Sequence, residues 1–153
     1  MRNPPRRIRG KFDTGEPVFG AAIQLYSPEV VEIAGYRGLD FVWLDAEHGT
    51  MDVRDIADLV RAADAAGIDA IVRVPDGTPS FILRVLDSGA AGVVVPHMRT
   101  SEDAAAVVAA CKYAPEGNRG ACPTTRVVGH SSMDWFTDYR RHAPSPLNMS
   151  HRR

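Results

Sequence analysis

The run Leu39-Asp40-Phe41-Val42-Trp43-Leu44-Asp45-Ala46-Glu47-His48-Gly49 decides the fold of this 153-residue chain. Four apolar residues in succession, 41–44, read as a strand buried on both faces, the kind that parallel sheets contain. The strand then delivers Asp45, Glu47 and His48 into the loop before the next helix. In α/β sheets ligands bind and chemistry is done at the carboxyl ends of the strands. A carboxylate three residues from an imidazole can orient it as a proton acceptor near neutral pH. The plainer alternative makes Asp45 a turn cap, with Glu47 and His48 solvated loop residues.

Outward from this strand the same unit recurs. Upstream, residues 18–25 form a first apolar strand with Gln24 near its carboxyl end, and Ser27-Pro28 then opens a helix to about Tyr36, closed by Gly38. Downstream, a helix starts near Asp52, and Val53, Ile56, Ala57, Val60 and Ala63 carry its buried face up to Gly67. Residues 69–74 form a third strand with Arg73 as its last outward group. Thr78-Pro79 caps a third helix, bearing Phe81, Ile82, Val85 and Leu86 and stopping at Gly89. A fourth strand, 91–95, ends in Pro96-His97. Thr100 and Asp103 have capping-box spacing ahead of a fourth helix with Ala104, Val107, Val108 and Cys111 on one face. Strand and helix alternate four times, which predicts parallel strands joined by right-handed crossovers. Residues 114–129 read as a loop and 134–141 as a short helix. Residues 142–153 show no periodicity and read as an irregular, disordered tail.

The bulk composition narrows the function. The length suits one domain. Eighteen Lys and Arg against nineteen Asp and Glu leave a formal charge of -1, so no global field points to nucleic acid or a membrane. Cys111 and Cys122 fit neither a metal spacing nor a disulfide framework, which predicts free thiols in a reducing, cytoplasmic compartment. No apolar run has the length of a membrane span or a signal-peptide core. The basic opening, Arg2, Arg6, Arg7, Arg9 and Lys11, reads as a solvated terminus. Neither it nor Arg140, Arg141, Arg152 and Arg153 carries the aromatic interleaving of a nucleic-acid surface.

Gln24, the Asp45, Glu47 and His48 set, Arg73 and His97 all fall at or just past the carboxyl ends of successive strands. Singly, Gln24 could bond a neighbouring loop, Arg73 could be a salt-bridged rim residue and His97 could stack on its loop. Jointly they mark one rim as a site.

These residues also carry a likeness. Gly35-Tyr36-Arg37-Gly38-Leu39-Asp40-Phe41, Leu44-Asp45-Ala46-Glu47-His48-Gly49, Val72-Arg73-Val74-Pro75, Leu86-Asp87-Ser88-Gly89-Ala90-Ala91-Gly92-Val93-Val94-Val95-Pro96 and Lys112-Tyr113-Ala114-Pro115-Glu116-Gly117-Asn118-Arg119-Gly120 run in order from about Val18 to Tyr139. In that arrangement the chain resembles the HpcH/HpaI aldolases, class II pyruvate aldolases on a (β/α)8 TIM barrel. The resemblance implies an α/β fold of about four βα units, the N-terminal part of such a barrel over residues 1–141, with a divergent tail over 142–153. It implies a carbon–carbon lyase that cleaves a 4-hydroxy-2-oxo acid to pyruvate and an aldehyde, commonly as a homo-oligomer. His48 would be the base, paired with Asp45. Arg73 would bind the enolate oxygen, with Gln24 and His97 alongside on the substrate and Glu47 supporting from behind. The divalent metal of the class, Mg, Mn or Co, is held by a Glu from a Gln-x-Glu segment and an Asp from a Gly-Pro-x-Asp loop. Neither motif occurs in this chain, so its metal ligands are set at none.

A full barrel needs about 250 residues. The sequence therefore reads as the first half of one with an unrelated ending, as a frameshift or early stop would leave. One donor such as Arg73 supplies about 2.7–4 kcal/mol of oxyanion stabilisation, whereas enzymatic acceleration takes at least about 8 kcal/mol. The class makes up the difference with a Lewis acid. The alternative is a non-catalytic remnant that binds small carboxylate or phosphate anions at Arg73 and Arg119.

Overall fold

The structure, a computed structural model, describes residues 7–130. The expectations for 134–141 and 142–153, and the domain boundary between them, lie outside the described residues. Within those limits the order is α1 (Arg7–Thr14), β1 (Gly20–Ile23), α2 (Pro28–Tyr36), β2 (Phe41–Asp45), α3 (Val53–Ala65), β3 (Asp69–Arg73), α4 (Pro79–Asp87), β4 (Gly92–Val94) and α5 (Ser101–Cys111). A 3-10 turn follows at Arg126–Val128. The four strands form one sheet in the order β1-β2-β3-β4, every pair parallel.

Helices α2, α3 and α5 begin where the sequence provides a partner for the free amides of the first turn. The Ser27 side chain accepts from the Val30 amide, with Pro28 in the first helical turn. Asp52 and Asp55 form a reciprocal capping box on α3, as do Thr100 and Asp103 on α5. Thr78 makes no side-chain cap. Asp76 accepts from the Thr78 amide at 2.8 Å instead.

The sheet's two faces differ. Val42, Leu44, Val72 and Ala70 are buried against the helices in one core with Ile56, Leu59, Val60, Ile82, Val85 and Leu86. Phe41 and Trp43 alternate with them and are half-buried. The expectation of a strand buried on both faces is corrected accordingly: among the described residues, helices cover only one face of β2. α5 also departs from its expected pattern. Ala110 is its buried residue, while Ala104 and Val108 are exposed, because this helix has only α4 as a helical neighbour of consequence.

The largest correction concerns the basic opening. From Arg7 on it is helix, not a solvated terminus, while Arg2 and Arg6 lie outside the described residues. Ile8 is buried, its amide donates to Asp69 Oδ2 at 3.0 Å, and Lys11 Nζ lies 2.7 Å from Asp40 Oδ1. Asp40 and Asp69 sit at the amino ends of β2 and β3, so α1 lies across the end of the sheet opposite the candidate rim. One apolar residue and two carboxylates suffice to dock a helix whose composition looked solvated.

Candidate active site

Register places the first three groups. Asp45 pairs with Arg73 as the last couple of β2 and β3, and Gln24 stands one step past the Ile23–Leu44 couple. Neighbouring residues of parallel strands in register present side chains to the same face. The three thus form one row across the carboxyl ends. Gly49 lets the following loop fold down tightly: a Cβ there would stand 2.6 Å from the Asp45 carbonyl oxygen and 3.2 Å from that of Gln24.

Asp45 is the anchor of the row and is 1% exposed. Its carboxylate takes Arg73 Nε at 3.0 Å on Oδ1 and Arg73 Nη2 at 2.5 Å on Oδ2, a bidentate pair. Gln24 Nε2 donates to Oδ2 at 2.9 Å, and the Glu47 and His48 amides donate to Oδ1 at 3.1 and 3.2 Å. The Arg73 guanidinium, despite some opposing desolvation, holds the Asp45 carboxyl well below the usual carboxylate range; Gln24 and the two amides add to the effect. Asp45 in turn raises the Arg73 pKa still further.

Glu47 carries the network onward. Its Oε2 lies 3.2 Å from Arg73 Nη1, and its Oε1 lies 3.1 Å from His97 Nε2 and 3.7 Å from His48 Nε2. The rim residues therefore all converge, but with different partners from those expected. The imidazole of His48 faces Glu47, while Asp45 holds only the His48 backbone. Glu47 links the guanidinium to His97 and faces His48 at a longer distance. The spacing of Asp45 and Glu47 carried a signal for this: each carboxylate can reach a different edge of the Arg73 fork.

Two of the five N–H donors of Arg73, on Nε and Nη2, are bonded to Asp45, and Nη1 stands 3.2 Å from Glu47 Oε2 as an ion pair. Terminal N–H groups not spent on Asp45 are donors of the kind a carboxylate or enolate accepts. The side chain is 25% exposed, so the guanidinium is within reach of a ligand. Arg119 has Nε and Nη1 without hydrogen-bond partners, but they are shut away from any ligand at the surface. Its side chain is fully buried, paired with Asp87 at 2.6 Å and set over the Tyr113 ring at 4.6 Å. The expectation of anion binding there is corrected.

A divalent cation does not fit these residues by themselves. Among the described residues no group of three His, Cys, Asp or Glu side chains could hold one. Both oxygens of Asp45 and of Glu47 already face cationic or N–H groups of the rim.

The family model for HpcH/HpaI aldolase/citrate lyase matches residues 20–130. The chain belongs to the HpcH/HpaI aldolase/citrate lyase family. It is 37% identical over 120 residues to a hydroxypyruvate/pyruvate aldolase of Roseobacter denitrificans, covering 78% of this chain and 47% of that protein. A 4-hydroxy-2-oxovalerate aldolase of Novosphingobium aromaticivorans is 36% identical, with 78% and 46% covered. Among solved structures, an HpcH/HpaI aldolase from Desulfitobacterium hafniense superposes with a TM-score of 0.83 at 30% identity, over 90% of this chain and 53% of that one. The chain thus spans about half the length of the relatives it matches. Its four parallel βα units correspond to part of the TIM barrel of this HpcH/HpaI family.

Proposed function

We propose that this chain provides the acid–base and anion-receiving part of a carbon–carbon lyase that cleaves a 4-hydroxy-2-oxo acid to pyruvate and an aldehyde. The observation that carries the reading is the Arg73 guanidinium, held by two hydrogen bonds to Asp45, flanked by Glu47 at 3.2 Å and a quarter exposed at the rim. His48, 65% exposed and facing Glu47, takes the proton of the C4 hydroxyl. The C3–C4 pair passes into an enolate whose oxygen Arg73 receives, the aldehyde leaves, and C3 regains the proton from His48. Asp45 keeps Arg73 in place, and Gln24 keeps Asp45 in place. Among the described residues none is assigned the Mg, Mn or Co ion of the class. The aldolase names of the relatives support the substrate class.

The experiment is deuterium exchange into the methyl group of pyruvate, with and without added manganese. It needs only the enolisation half-reaction. Exchange well above a His48→Ala control is expected, and exchange no faster than that control overturns the reading.

A second reading, an anion-binding remnant without turnover, is favoured by the donor set, which does not suit a cation. Calorimetry with oxalate separates the two. Tight manganese-dependent binding supports the lyase; metal-independent binding lost in Arg73→Ala, with no exchange, supports the remnant. We further propose a cytoplasmic homo-oligomer acting on a small 2-oxo acid, without nucleic-acid or membrane partners. Support comes from two free cysteines, from open sheet edges among the described residues, and from the lack there of any helix long and apolar enough to cross a membrane.

A further inference from the structure

Glu47 lies on a loop, yet its side chain is only 10% exposed. Three groups from three segments surround it: Arg73 at the end of β3, His48 next to it in the chain, and His97 beyond β4. His97 is the surprising member. Its side chain is 79% exposed, so burial does not hold it. Its backbone has φ 59°, the left-handed region that L residues seldom adopt. Such a backbone persists where the surroundings over-determine it, and such positions cluster at functional sites. The turn after Pro96 carries the ring back across the sheet to a carboxylate fifty residues upstream.

We propose that His97 is a positioning residue that acts through Glu47. By occupying Glu47 Oε1 at hydrogen-bond distance, His97 fixes the carboxylate so that Oε2 stays on Arg73 Nη1 and Oε1 stays opposite His48. Without that contact Glu47 has one partner within hydrogen-bond distance, since 3.7 Å to His48 is too long for a bond. A carboxylate held at one end regains rotamer freedom, and both the fork and the base lose a neighbour together. This assignment differs from direct substrate binding by His97, and it rests on the lyase reading only for its effect on rate.

The test is a double-mutant cycle on the full chain: His97→Ala, His97→Gln, Glu47→Ala and the double variant His97→Ala with Glu47→Ala. Two quantities are read, the ring signals of His48 in proton–nitrogen NMR and the rate of pyruvate deuteration. His97→Ala is expected to displace the His48 signals and slow exchange about tenfold, short of the roughly hundredfold that a 1 Å misplacement of reacting groups can cost. His97→Gln, whose amide nitrogen can donate to the same oxygen, is expected to recover most of both. In the Glu47→Ala background, removing His97 is expected to change neither. If His97→Ala slows exchange as much without Glu47 as with it, His97 touches substrate itself and the proposal fails. Unmoved His48 signals in the single variant also overturn it. Should the unaltered chain exchange no pyruvate, the lyase reading falls, and the NMR cycle alone still decides for or against the positioning role.

Discussion

At the residue scale the decisive object is the Asp45–Arg73 pair. Removing one partner of a buried pair costs about 3–5 kcal/mol. With Arg73 a quarter exposed, Asp45→Asn is expected near the low end, about 3 kcal/mol by urea unfolding at neutral pH. The pH dependence has a definite sign. A carboxyl whose folded pKa is depressed contributes stability that is complete above its unfolded pKa, about 3.9 for Asp, and is lost as pH falls toward the folded value. The stability gap between the original chain and Asp45→Asn should therefore be constant above about pH 5 and narrow below about pH 4. A gap that widens in acid would contradict the pairing. The two thiols give a separate check. Burial pushes Cys111 up, whereas Thr124 at 3.2 Å lowers the exposed Cys122. Alkylation followed by mass spectrometry should accordingly label Cys122 first, since the thiolate is the reactive form.

At the scale of elements, most of the secondary structure was legible because its signals are local. Ser27-Pro28, Asp52 and the Thr100–Asp103 box each sit within one turn of the helix they start, and β2 announced itself in four adjacent residues. The cap at Asp52 should be worth about 1 kcal/mol, measurable as the loss in Asp52→Ala. What escaped was non-local. α1 docks through Asp40 and Asp69, tens of residues away, and no periodicity within eight residues could reveal that. The site was legible as an address, since strand ends can be counted. Its wiring was not: whether Asp45 meets His48 or Arg73 depends on β2–β3 register, and Glu47 reaches His97 only because the chain turns left-handed after Pro96.

At the scale of the whole molecule, the sheet has β1 and β4 at its margins, each with one strand neighbour among the described residues. Strand edges with free amides and carbonyls recruit other chains. Val30, Ile33 and Tyr36 on α2 and Phe19, Leu25 and Tyr26 around β1 are exposed large apolar side chains beside one margin. Purified alone, this 153-residue chain should sediment as an oligomer or aggregate, and a stable, cooperatively unfolding monomer would refute that expectation.

The half-bare inner face of β2 has an optical corollary. Trp43 sits on that face two residues from Asp45, and the chain's other tryptophan, Trp135, can be silenced as Trp135→Phe. A lone indole there becomes a built-in dye. Its emission should be red-shifted while water reaches the ring, and should move to the blue when any second layer, a neighbouring subunit or a longer chain, settles into the hollow.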